Sequence, residues 1–176
     1  MNGPPDPRHL VLVGMMGSGK STVGAACAAA RAIAAVDTDD LVVLEAGRTV
    51  AEIFTTDGEA AFRALERRAV RDAVASPVPT VISCGGGAVL DPENRRVLRD
   101  HGFVVWLRAT PTTLETRLGS GDPARPLLSG APVGVTLARL LARRESAYEA
   151  AAHAVVDTDG RTVDDIVAEV LTVAYA

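Results

Sequence analysis

The 176-residue chain is poor in several features that would settle its class quickly. It has two cysteines, Cys27 and Cys84, in no C-x-x-C spacing. Two thiols are too few for a disulfide framework. The three histidines, His9, His101 and His153, are scattered and form no metal-ligand pattern. There is no basic block, and the formal net charge is −4. That balance argues against nucleic acid or an anionic membrane as the main partner. No apolar run is long enough for a membrane span, and the first one stops at Gly14. Residues 1–8 are proline-rich, without a basic-then-apolar leader, and read as a flexible tail on a soluble, cytoplasmic protein. Lysine is nearly absent: all basic residues but Lys20 are arginine. A lone lysine among arginines marks a position suited to a compact, flexible ammonium rather than a guanidinium fork.

What is present is ample material for a core. Apolar residues make up 48% of the chain, and one domain over 1–176 is expected, with no internal repeat. Short apolar runs at Leu10–Val13, Ile33–Val36, Thr80–Ser83, Phe103–Leu107 and Ala154–Asp157 read as strands. Helical patterns lie between them: about Gly19–Arg31, Asp40–Ala46, Glu59–Ala75, Pro92–His101, Thr112–Leu118, Val135–Ala150 and Thr162–Ala174. Thr49–Phe54 reads only as a short connecting segment. The stretch 119–134 is rich in glycine and proline and reads as a mobile lid. Strict alternation of strand and helix predicts an α/β fold, a three-layer α/β/α arrangement on a five-stranded parallel sheet. Such sheets bind ligands at the carboxyl ends of their strands.

Three unusual clusters fall at those ends. Gly14-Met15-Met16-Gly17-Ser18-Gly19-Lys20-Ser21 matches the phosphate-cradling G-x-x-x-x-G-K-[ST] loop between a strand and a helix. Glycines there let successive N–H groups face one anion, and the helix N-terminus adds its dipole. Lys20 can reach β- and γ-phosphates, and the Ser21 hydroxyl is placed for Mg²⁺. A guanine-reading N-K-x-D cannot exist without a second lysine. The third strand ends without an acidic metal-side residue, and the carboxylates Asp37 and Asp39 follow the second strand instead. Gly85-Gly86-Gly87 at a strand end favours close backbone approach to a ligand.

Other positions leave two roles open. Asp39 also suits the N-cap of the helix beginning near Asp40. Arg63 stands four residues after Glu59 and three before Glu66, the spacing of surface helix ion pairs. Arg144 interrupts the apolar stripe of Leu137, Leu140, Leu141 and Tyr148, so its burial demands an anionic partner, either a neighbouring carboxylate or a ligand.

Taken in order, GMMGSGKST at 14–22, DTD at 37–39, IFTTDGEAAFRALE at 53–66, SCGGGAV at 83–89, RPLL at 125–128 and RRESAY at 143–148 strongly resemble shikimate kinases, within the nucleoside-monophosphate-kinase-like P-loop proteins. The resemblance implies transfer of the ATP γ-phosphoryl group to the 3-hydroxyl of shikimate, with ATP and Mg²⁺, by a protein expected to be a monomer. By resemblance, Gly17, Ser18, Gly19, Lys20, Ser21 and Thr22 would bind the phosphates, and Ser21 and Asp37 the metal. Asp39, Arg63, Gly85, Gly86, Gly87 and Arg144 would hold the acceptor, with Phe54, Phe62, Glu66 and Pro126 around it. Arg125 would descend with the lid as a catalytic residue beside Lys20 and Asp39, while Arg117 and Arg161 would flank adenine. Two departures stand out: Arg31-Ala32 replaces a frequent Leu-Gly turn, and the lid is about one residue longer. The alternatives are a kinase for a related carboxylated ring or polyol (aminoshikimate, quinate, gluconate) and a non-catalytic nucleotide-binding module.

Overall fold

The computed structural model describes residues 9–119 and 132–175. Five parallel strands, β1 (His9–Val13), β2 (Ala34–Asp37), β3 (Thr80–Ser83), β4 (Gly102–Arg108) and β5 (Ala154–Asp157), form one sheet in the order β2-β3-β1-β4-β5. Eight α-helices connect or flank them among the described residues: α1 (Lys20–Arg31), α2 (Thr38–Ala46), α3 (Val50–Thr56), α4 (Gly58–Val74), α5 (Pro92–His101), α6 (Pro111–Leu118), α7 (Val133–Ala151) and α8 (Val163–Tyr175). The expected architecture is therefore present, and no described helix is long and apolar enough to cross a membrane.

Alternation along the strands builds the layers, because successive side chains point to opposite faces. Leu10 and Leu12 of β1 pack with Val23 and Cys27 of α1 and Ile166 and Val170 of α8. Val11 and Val13 face the other way, onto Val70 of α4, Leu98 of α5 and Tyr148 of α7. A smaller cluster, Val42, Ile53, Phe62 and Ala69, ties α2, α3 and α4 into a shoulder beside the β2 edge.

Two local features depart from the sequence reading. The segment after Thr49 is a helix, α3, opened by a capping box in which Thr49 accepts from Glu52 N–H and Glu52 accepts from Thr49 N–H. This reciprocal arrangement satisfies two donors that a helix start leaves orphaned. The second is Ala32, which closes α1 in the left-handed region at φ 52.

A left-handed non-glycine residue costs roughly 1–2 kcal/mol, and glycine returns part of that through its larger unfolded-state entropy, about 0.4–1 kcal/mol. Ala32→Gly is accordingly expected to raise the melting temperature by roughly 1–4 °C. A drop in thermal unfolding measured by circular dichroism would contradict that accounting.

Candidate active site

The carboxyl ends of β1, β3 and β2 meet around a cleft of about 460 Å³. Lys20, Ser21, Asp37, Asp39, Phe62, Arg63 and Arg144 line it together with the Gly85–Gly87 turn. Sheet register makes this convergence possible: β2 pairs with β3 so that Asp37 lies level with Ser83. Ser83 Oγ in turn donates to the Lys20 carbonyl at 3.1 Å, fixing the start of α1 against the strand end.

On the β1 side the loop is shaped as an anion cradle. Gly19 is the N-cap of α1 at φ 97, a conformation that favours glycine. Ser18 N–H bonds back to Met15 O at 3.1 Å, and Lys20 Nζ donates to the same carbonyl at 2.9 Å. Ser18 is buried, and its Oγ has no partner among the described residues. The α1 N-terminus therefore faces the cleft with its positive dipole end.

On the β2 side Asp37, not Asp39, caps the helix: its Oδ1 accepts from Asp39 N–H at 3.0 Å. Its other oxygen accepts from Ser21 Oγ at 2.8 Å, joining the β2 end to the phosphate loop. This corrects the capping alternative and releases the Asp39 side chain, whose buried Oδ1 has no hydrogen-bond partner among the described residues. Burial, reinforced by the neighbouring Asp37 charge, raises the Asp39 pKa, while Lys20 and Arg63 oppose the rise. Burial likewise raises that of Glu66, against the pull of Arg63.

The ion-pair reading of Arg63 is present in the structure, and the same side chain lines the cleft. Its Nη1 donates to Glu66 at 2.7 Å, and its Nε and Nη2 donate to Glu59 at 3.3 and 3.1 Å. Those contacts use three of the five guanidinium N–H groups and leave one on each terminal nitrogen. That free edge lies against Gly87, where any Cβ would overlap the guanidinium. Arg144 is 4% exposed and donates to Gly86 O at 3.2 Å beside the Tyr148 hydroxyl, with no carboxylate in ion-pair range among the described residues. The anionic partner its burial demands is therefore not supplied by a neighbouring described side chain.

Some expectations need revision. Gly85 was expected to offer its N–H to a ligand, but that N–H is taken by the buried Thr38 hydroxyl at 2.9 Å. What Gly85 supplies is space: a Cβ there would lie 2.5 Å from Asp39 Oδ1 and 3.0 Å from Glu66 Oε1. The N–H groups of Gly86 and Gly87 make no hydrogen bond among the described residues. Arg117 stands behind the phosphate loop, donating to Gly17 O, Ser18 O and Thr158. Arg161 is not brought to the cleft; it pairs with Glu169 and donates to the Asp157 and Asp165 carbonyls. Arg125 and Pro126, with segment 120–131, lie outside the described residues. Sequence reading missed Thr38, Met16 and Val50 as parts of the site. The Thr49-x-x-Glu52 box was the available signal for the helix that carries Val50.

A phosphate-cradling loop on the central strand, facing a second, cationic subsite across a carboxylate, defines a P-loop kinase for a small anionic acceptor. Residues 16–175 match the family model for shikimate kinase. The shikimate kinase of Symbiobacterium thermophilum is 50% identical over 165 residues, covering 93% of this chain and 94% of that protein. The shikimate kinase of Geobacter sulfurreducens is 43% identical over 172 residues, covering 98% and 93%. Among solved structures, shikimate kinase from Acinetobacter baumannii in complex with shikimate superposes with a TM-score of 0.90 at 29% identity, covering 96% of this chain and 93% of that one. The chain belongs to the shikimate kinase family, and its activity is the ATP-dependent kinase activity of that family.

The raised pKa of Asp39 has a stability consequence of definite sign. An acid whose folded pKa exceeds its ordinary value of 3.8 destabilises the fold once ionised, so the penalty is present at neutral pH and fades on acidification. Asp39→Asn is expected to melt higher than the parent at pH 7.5 and to lose that advantage towards pH 4. Equal melting curves at pH 7.5 would argue that the cleft cations fully offset the burial of this carboxylate.

Proposed function

We infer that this cleft transfers the γ-phosphoryl group of ATP to the 3-hydroxyl of shikimate, giving ADP and shikimate 3-phosphate. The observation that carries the reading is the buried Arg144, with no carboxylate in ion-pair range among the described residues, beside the free edge of Arg63. Adjacent glycines touch each guanidinium, so both face one small anion such as the acceptor carboxylate. Bidentate arginine contacts would fix that carboxylate and thereby choose which ring hydroxyl points at ATP.

Phosphoryl transfer asks mainly for positioning and charge stabilisation. Asp39, whose carboxylate lines the cleft, holds the attacking hydroxyl and takes its proton late, as the new O–P bond forms and the bond to the β-phosphate oxygen breaks. Lys20 and the α1 N-terminus stabilise charge on the transferring and leaving oxygens. A divalent ion also fits. No described group of three or more His, Cys, Asp or Glu could enclose a metal, but Mg²⁺ keeps most of its waters and leans on phosphates plus one or two protein oxygens. The joined Ser21 hydroxyl and Asp37 carboxylate supply those oxygens. When bound there, Mg²⁺ would neutralise the phosphate oxygens that gather charge during transfer.

Loss of a charge-assisted hydrogen bond is worth about 1.5–3 kcal/mol. Arg63→Ala should therefore raise the KM for shikimate by roughly 10- to 100-fold with a smaller effect on kcat. Lys20→Ala should instead lower kcat by about 10²- to 10³-fold. A coupled ADP-release assay with shikimate, quinate, aminoshikimate, gluconate and nucleoside monophosphates tests the acceptor. Turnover no faster with shikimate than with gluconate would reject the assignment, and ATP binding without transfer to any acceptor would favour a non-catalytic module.

A further inference from the structure

The Gly85–Gly87 turn is held by two buried hydroxyl groups that belong to different helices. Thr38, the first residue of α2, accepts from Gly85 N–H at 2.9 Å. Tyr148, on α7, donates to Gly86 O at 2.6 Å, the same carbonyl that Arg144 engages. Both residues are fully buried. Tyr148 is further fixed by stacking on Trp106 of β4, with ring centroids 5.5 Å apart and planes at 21°. Burial pushes its phenol up to about 12, so it stays a donor across the working range.

We propose that Thr38 and Tyr148 are positioning residues that set the acceptor-binding geometry of the glycine turn. The proposal rests on the reading that Gly86 and Gly87 face the acceptor. Three successive glycines have the largest backbone freedom of any tripeptide, and ordering each residue on binding costs roughly 1–2 kcal/mol. A turn already fixed in the unliganded protein avoids that loss. The two hydroxyls fix it from both sides of one peptide path. A trans peptide points its C=O and N–H in opposite directions. With Gly86 O drawn inward under Tyr148 and Arg144, the N–H of Gly87 turns to the other side, towards the cleft and the free edge of Arg63. With Gly85 N–H drawn onto Thr38, the α-carbon of Gly85 is presented to Asp39 and Glu66. The middle residue of the D-T-D motif thereby connects the catalytic carboxylate to the turn that receives the acceptor.

The test uses the full-length enzyme and variants that remove one bonding group each: Tyr148→Phe, which keeps the Trp106 stack, Thr38→Val, which keeps the shape, and Thr38→Ser as the restoring control. Each of the first two should raise the KM for shikimate by about tenfold, with kcat and the KM for ATP changed less than about twofold. Thr38→Ser should restore the parent KM. If melting temperatures fall while both KM values stay at the parent level, the hydroxyls are merely structural and the proposal fails. It also fails if kcat and the KM for ATP worsen as much as the KM for shikimate. Arg63→Ala measured alongside separates the two levels. A raised shikimate KM in Arg63→Ala with none in Tyr148→Phe or Thr38→Val leaves the acceptor site standing and overturns the positioning role alone. An unchanged KM in all three overturns the acceptor site itself.

Discussion

A charge withdrawn from water must be met by an opposite charge or by hydrogen bonds, and that requirement governs the whole cleft. Asp39 and Glu66 are buried carboxylates, and each keeps an oxygen without a hydrogen-bond partner among the described residues. Arg63 and Lys20 oppose the rise in the Asp39 pKa, and Arg63 and Arg144 oppose that of Glu66. Among the described residues the balance is incomplete on both sides: one oxygen each of Asp39 and Glu66 lacks a donor, and Arg144 lacks a carboxylate. A ligand offering a hydroxyl to one and an anion to the other would complete both at once. The cleft thus carries an energetic debt in the free protein that only a molecule of matching polarity removes.

Such an arrangement needs a rigid frame, because a displacement of an ångström would let water or a rotated side chain relieve it. The frame is the parallel sheet. Register places Asp37 beside Ser83, Ser83 grips the Lys20 carbonyl, and Ser21 grips Asp37, so three strand ends form one closed set of contacts. Behind them the core leaves little room to yield. In α1, a Cβ at Gly24 would lie 2.6 Å from Ser83 Oγ, so helix and strand already touch at the minimum separation. Stability invested in the sheet is what allows the cleft to remain electrostatically unsatisfied.

Much of this frame was legible in the sequence because it follows from local rules. The five strands and seven of the eight described helices follow from apolar periodicity and turn residues, with ends shifted by one or two positions. The phosphate loop was readable because its glycines and Lys20 must be contiguous. The missed helix α3 has only seven residues, too few for a clear period, although its capping box was visible. What could not be read were bonds between a side chain and a distant backbone. Tyr148 and Gly86 are 62 residues apart, and nothing local tells a phenol on an apolar helical stripe that a carbonyl lies above it. The swap of capping role from Asp39 to Asp37 is subtler. Both residue types cap well, and the outcome depends on β2 ending one residue later than the apolar run suggests. For Arg161, which the resemblance places beside adenine, the structure shows a pair with Glu169, two helical turns further along.

The same incomplete balance explains how the site can discriminate without a large pocket. A neutral polyol could satisfy Asp39 with a hydroxyl but would leave Arg144 desolvated and unmatched, a penalty that buried charges do not tolerate well. A nucleoside monophosphate would bring a dianion to a subsite already containing Glu66, whose charge compensates one of the two arginines. Arg63 is already met by Glu66 and Glu59, so Arg144 is the cation without a carboxylate among the described residues, and one monoanion suits it better than a phosphate dianion. On the proposed reading, charge selects the class of acceptor. Among carboxylated rings the proposed reading passes the selection to the hydroxyls that would meet Asp39 and Glu66, the two groups held against Gly85.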